Sequence, residues 1–193
     1  TDTKRIIIAG IGRGLGLAMM QGFIARGHTV VGCSQNPKHI DKVSKRFGAP
    51  HRFDAVNVAD EAAVGQLLAE VTAAVGPVQA LVNAAGILDR KYLADSTAAS
   101  FRRALDVNLV GPFNLIKAFS PGMIEAGWGR IVNIASIAGI TGYPYPSYAA
   151  SKAGLTNLTR SLLEDFWGTG ITINSICPGV VDTPMVIQEV RDQ

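Results

Sequence analysis

Short apolar runs alternate with helix-like stretches along the whole chain, and this alternation is the strongest constraint on its fold. "KRIIIAG" is a continuous apolar run, as expected for a strand buried on both faces. "GLGLAMMQGFIARG" then reads as a helix closed by Gly27. "HTVVGCS" is a second strand, and "PKHIDKVSKRFG" a second helix opened by Pro37 and closed by Gly48. "HRFDAVNV" holds a third strand and "DEAAVGQLLAEVTAAVG" a third helix, with Asp60 as its cap. "VQALVNAAG" is a fourth strand, followed by a long helical region from about 97 to 126. "GRIVNIAS", "SYAASKAGLTNLTRSLLEDF" and "ITINSICPG" complete the series as strand, helix and strand. Repeated β-α units of this kind predict an α/β fold, a doubly wound parallel sheet with helices on both faces. Ligands of such sheets bind beyond the C-terminal ends of the strands, so chemistry is sought there.

Composition excludes several classes. No apolar run approaches membrane-spanning length, and the N-terminus enters a strand without the pattern of a signal peptide. The net charge of +3 is scattered over the chain, with no basic run interleaved with aromatics, so neither nucleic acid nor a membrane is an expected partner. A mild positive field suits an anionic ligand. Cys33 and Cys177 read as buried free thiols, which fits the cytoplasm. His28, His39 and His51 lack metal-ligand spacing and fall near element ends, where solvation is expected; no metal is predicted.

The first strand ends in "AGIGRGLG". A glycine-rich turn running into a helix brings backbone N–H groups and a partial positive charge to a phosphate. The spacing is G-x-x-x-G-x-G through Gly10, Gly14 and Gly16, with Gly12, Arg13 and Leu15 between them as further candidate contacts. NAD-binding sheets carry an acid near the end of the second strand. Here that region reads Ser34, Gln35, Asn36, and no acid precedes Asp41. A 2′-phosphate would meet no carboxylate there, Ser34 can donate to it and Arg13 lies in the adjacent loop. NADP(H) is therefore favoured, with NAD(H) the alternative.

Further candidates lie at later strand ends. Small residues in "NAAG", Asn83, Ala84, Ala85 and Gly86, let a cofactor ribose come close. Pro112 has no N–H to give the carbonyl of Asn108, which is expected to bend the long helix and free that carbonyl for a water. Ser136 ends the fifth strand, and Tyr148 and Lys152 follow at i and i+4 of a helix, on one face. A nearby ammonium favours a phenolate and moves a tyrosine toward useful acid–base chemistry.

Taken together, Gly10–Gly14–Gly16, Asn83 to Gly86, Asn108, Ser136, Tyr148, Lys152 and Pro178–Gly179 resemble the short-chain dehydrogenase/reductase (SDR) family, and within it the 3-oxoacyl-carrier-protein reductase-like members. The resemblance implies a Rossmann-type fold and hydride transfer between nicotinamide and a small-molecule carbonyl or secondary alcohol. It makes Tyr148 the general acid/base, Ser136 the residue that orients the substrate oxygen, and Lys152 the group that tunes Tyr148 and binds the nicotinamide ribose. It assigns Asn108 a water held through its main chain, and Val181 and Thr183 contacts to the carboxamide and diphosphate.

The sequence departs from the family pattern at single positions and, most of all, at its end. Ala9 stands where a threonine often opens the glycine motif, and Asn57-Val58 stand for the adenine-contacting Asp-Val. Family members continue past the equivalent of "TPM", so residues 1–193 are expected to be a C-terminally incomplete single dinucleotide-binding and catalytic domain lacking a final strand. "ILDRKYLADS" and "IAGITGYPYP" are expected to line the substrate pocket, with Ile137, Tyr143 and Tyr145 near its mouth. The helices over 97–126 and 148–167 resemble a family dimer contact and predict a homodimer or homotetramer. The alternative function is a dinucleotide sensor or scaffold without turnover.

Overall fold

The computed structural model describes residues 2–185. Its strands are β1 (Arg5–Ala9), β2 (Thr29–Ser34), β3 (Arg52–Ala55), β4 (Ala80–Asn83), β5 (Gly129–Ile134) and β6 (Ile171–Ile176). They form one six-stranded parallel sheet in the order β3-β2-β1-β4-β5-β6. The chain builds outward from β1 to β3, then crosses to the other side of β1 and builds outward again. The switch therefore lies between β1 and β4, where such sheets bind their ligands.

The helices are α1 (Gly14–Ala25), α2 (Pro37–Phe47), α3 (Glu61–Val75), α4 (Ala98–Leu105), α5 (Gly111–Glu125) and α6 (Pro146–Ser161). The apolar strands feed two cores because successive residues point to opposite faces. Ile7, Ala9, Val31 and Cys33 meet Val64, Leu67 and Val71 of α3 and Leu115, Phe119 and Met123 of α5. Ile6, Ile8 and Val30 meet Met20 of α1 and Ile40 and Val43 of α2. The doubly wound α/β sheet read from the sequence is the fold observed. Capping follows the sequence as well: Asn36 Oδ1 accepts from Lys38 N at 3.0 Å, and Asp60 Oδ1 from Ala63 N at 3.1 Å.

The structure departs from expectation in four places. The helical region over 97–126 is two helices joined by a wider π-turn, Asp106–Val110, in which Gly111 N reaches back five residues to Asp106 O. Pro112 donates no N–H, so the ordinary ladder fails here and a wide turn is the accommodation. The helix expected to reach Phe166 ends at Ser161. Thr159 and Ser161 hydroxyls bond back to the carbonyls of Leu155 and Asn157, and the chain turns so that Phe166 and Leu162 enter the core.

Nor are the histidines simply solvated; all three are half-buried. His28 Nδ1 accepts from Lys4 N and His51 Nδ1 from Val30 N, each at 3.2 Å. Burial pushes the His51 pKa down. Cys33 is buried, and loss of hydration pushes its thiol up to about 12. Cys177, expected to be buried, is only half-covered, with its sulfur 3.9 Å from Thr156 Oγ1. The expected continuation past Met185 lies outside the described residues.

Candidate functional site

The loop after β1 is held by its neighbours rather than by itself. Gly10 N and Ile11 N both donate to Cys33 O of β2, at 2.8 and 3.3 Å. Gly10 takes φ +92°, and a Cβ there would lie 2.5 Å from Ala85 N. A Cβ on Gly16 would lie 2.1 Å from Gly10 O. Both positions need glycine because three backbones meet: the loop, the first turn of α1 and the strand end after β4. No side chain caps the N-terminus of α1, where Arg13 stands in extended conformation. Its first N–H groups are left for a ligand.

A cavity of about 280 Å³ opens at this point, at the C-terminal edge of the sheet. Gly10, Gly12, Arg13, Gly14, Leu15 and Gly16 form its floor, with Ser34 and Gln35 from the end of β2. Asn57 and Val58 line it from the end of β3, and Ala84, Ala85 and Gly86 from the end of β4. Ser136, Tyr148 and Lys152 close one end, together with Pro178, Gly179, Val181 and Thr183. No carboxylate lines it among the described residues. The uncapped helix, the close-approach glycines and the absence of acids fit a dinucleotide diphosphate.

Lys152 is 5% exposed, and its Nζ donates to Ile134 O at 2.7 Å. Burial lowers its pKa to about 8, and the nearby Cys177 works in the opposite sense. The ammonium lies 5.8 Å from the centre of the Tyr148 ring. The Ser136 Oγ accepts from Ala138 N at 3.1 Å, so its own proton is free to be donated. Tyr143 lies outside the cavity lining but its ring stands 6.0 Å from that of Tyr148. Tyr145 and Tyr92 continue this aromatic row, each ring 5.4 Å from the next.

Besides Tyr143, three expected contacts do not reach the cavity lining. Ile137 turns outward and is 44% exposed. Asn108 is fully buried, and its side chain bonds to both backbone groups of Ile87 and to Ser151 Oγ. Asn83 is buried and donates to Asn133 Oδ1 at 2.8 Å. Asn133 Nδ2 in turn donates to Thr159 Oγ1 at 2.9 Å, and that hydroxyl meets Ser175 Oγ at 2.8 Å. This polar row crosses β4, β5, α6 and β6 beneath the site. Its trace in the sequence is the matched ends "LVN" and "IVN", which the parallel register sets side by side as Asn83 and Asn133. His39 and Val107 also line the cavity, neither of them read as a contact from the sequence, together with Ile87, the first residue of the stretch expected at the substrate pocket, and Met185.

Comparison with known proteins agrees with this geometry. The sequence model of the family described as short chain dehydrogenase matches residues 4–193. The 3-oxoacyl-(acyl-carrier-protein) reductase of Salmonella typhimurium is 33% identical over 193 residues, all of this chain and 79% of that protein. The D-beta-hydroxybutyrate dehydrogenase of Rhizobium meliloti is 32% identical over 99% of this chain and 76% of its own length. Among solved structures, a short-chain dehydrogenase from Streptomyces avermitilis superposes with a TM-score of 0.89 at 27% identity, over 96% of this chain and 68% of that one. ElxO with NADP bound superposes with a TM-score of 0.90 at 26% identity, over 99% of this chain and 79% of that one.

Proposed function

We propose, from the premise that this chain belongs to the short chain dehydrogenase family and is an NAD(P)-dependent oxidoreductase, that it interconverts a small-molecule carbonyl compound and its secondary alcohol, with NADP(H) preferred over NAD(H). The observation that carries this reading is that Ser136, Tyr148 and Lys152 line the same cavity as the glycine loop.

The nicotinamide, when bound, supplies or accepts the hydride. The chain's own residues do the rest. Tyr148 gives its phenolic proton to the carbonyl oxygen in reduction and takes it back in oxidation. Ser136 donates its remaining proton to the same oxygen and fixes its position. Lys152, anchored to Ile134 O, keeps two ammonium protons for the nicotinamide ribose, and its charge eases formation of the Tyr148 phenolate. The uncapped α1 terminus with Gly10, Gly12, Gly14, Leu15 and Gly16 holds the diphosphate. Asn57 and Val58 meet the adenine, while Pro178, Gly179, Val181 and Thr183 meet the nicotinamide side. Tyr143 and Ile137 flank the entry of the substrate. Asn108 and Asn83 position these groups from beneath.

The acid-free lining, with Ser34, Gln35 and Arg13 at the adenosine end, supports NADP(H). Free Cys33 and Cys177 support a cytoplasmic enzyme. The exposed Val110 and Phe113, at the start of α5, support a homodimer or homotetramer, with residues 1–193 acting as one domain. The test is NADPH oxidation followed against a panel of small ketones, hydroxy acids' keto forms and 3-oxoacyl thioesters. Turnover with at least one is expected. Tight NADPH binding without turnover of any would instead indicate a cofactor sensor.

A further inference from the structure

His39 lines the cavity and has no task under this reading. His39 is the third residue of α2, half-buried, and its imidazole lies over the glycine loop. A Cβ built on Gly12 would fall 2.2 Å from His39 Nδ1, so the ring fills the space that a side chain at position 12 would take. The adjacent lining is Arg13, Ser34 and Gln35, the adenosine end of the cavity.

We propose that His39 is a specificity-determining residue, reading the 2′-phosphate of NADP from its seat over Gly12. The proposal rests on the NADP reading above. An imidazole keeps an N–H donor whether neutral or protonated. A phosphate monoester offers acceptor oxygens and negative charge, so it gains charge-assisted bonds that a ribose hydroxyl cannot match. No carboxylate competes: the first acid after β2 is Asp41, and its side chain is exposed. Arg13 is also exposed, so it brings charge but little fixed geometry. His39 is the half-buried cation-capable group at this end, and the missing side chain of Gly12 is what admits it.

The test is the pair of dissociation constants for NADPH and NADH, measured by fluorescence titration of the full chain, His39→Ala and His39→Gln. His39→Ala is expected to weaken NADPH at least about tenfold while leaving NADH within about twofold. His39→Gln, which restores N–H donors without the charge, is expected to recover part of the loss. Unchanged NADH binding shows that the site is intact in the variants. An NADPH preference in the parent that survives His39→Ala overturns this proposal alone. Equal weakening of both cofactors also overturns it, since His39 would then touch the adenine or its ribose without reading the phosphate. Equal affinity of the parent chain for the two cofactors overturns the NADP reading, and this proposal with it.

Discussion

The side chain of Asn108 holds Ile87 by both of its backbone groups: Oδ1 accepts from Ile87 N at 2.8 Å, and Nδ2 donates to Ile87 O at 2.9 Å. Nδ2 also donates to Ser151 Oγ at 2.9 Å. One fully buried amide thus ties the loop after β4 to α6, the helix that carries Tyr148 and Lys152. Asn108→Ala leaves these partners without their bonds and is expected to destabilise the fold by about 2–4 kcal/mol in urea unfolding. A change below about 0.5 kcal/mol would show that the amide is no clamp.

Tyr148→Phe keeps the ring and its packing against Tyr143 and removes the phenolic hydroxyl, and with it the transferable proton. Turnover is expected to fall by at least about 100-fold. Cofactor affinity in the same variant should stay within about twofold, a difference below 0.5 kcal/mol. Retained turnover would assign the proton to another group.

Lys152 provides a pH signature. Its folded pKa of about 8 lies below the ordinary lysine value of 10.5 because burial disfavours the ammonium. Between these values the unfolded chain keeps a proton that the folded chain has released, so folding stability rises with pH across that window. Below about 8 both states are protonated, and the folded state carries the full cost of the buried charge. Measured against Lys152→Met, the parent is expected to gain about 1–3 kcal/mol between the two ends of the window. Parallel stability curves for the two proteins would contradict the buried-ammonium account.

Two glycines should respond in opposite directions to alanine. Gly16→Ala would place a Cβ 2.1 Å from Gly10 O, a backbone atom that cannot step aside without moving the loop. It should lower both stability and NADPH affinity. Gly65 lies exposed within α3 with nothing within 4 Å of its missing Cβ. Gly65→Ala should stabilise the protein by about 0.5–1 kcal/mol through helix propensity. Thermal melts and a cofactor titration of both variants decide the matter.

The cofactor end was legible because its requirements are local. A glycine loop between a strand and a helix, and missing acids after Ser34, are visible within short stretches. The catalytic end was legible only as a set, since Tyr148 and Lys152 at i,i+4 are ordinary taken alone. What escaped depends on register and packing. Asn83 reads as a cofactor contact until β4 and β5 align it with Asn133. His39 looks solvated until α2 folds its first turn over Gly12. The helix after Tyr148 reads through to Phe166 because propensity cannot register that Phe166 is needed in the core. Pro112 announced a disturbance near Asn108 correctly, but a missing N–H does not say that a π-turn will absorb it.

In the proposed reaction one cavity brings the nicotinamide and the substrate carbon together under Tyr148. Direct isotope transfer tests it: the chain is given NADPH deuterated at the transferable position with the best ketone of the panel, and the alcohol is weighed by mass spectrometry. The expected alcohol carries one deuterium on the newly formed carbinol carbon and is made by the parent and not by Tyr148→Phe. Alcohol formed without deuterium, or formed equally well by Tyr148→Phe, would contradict it.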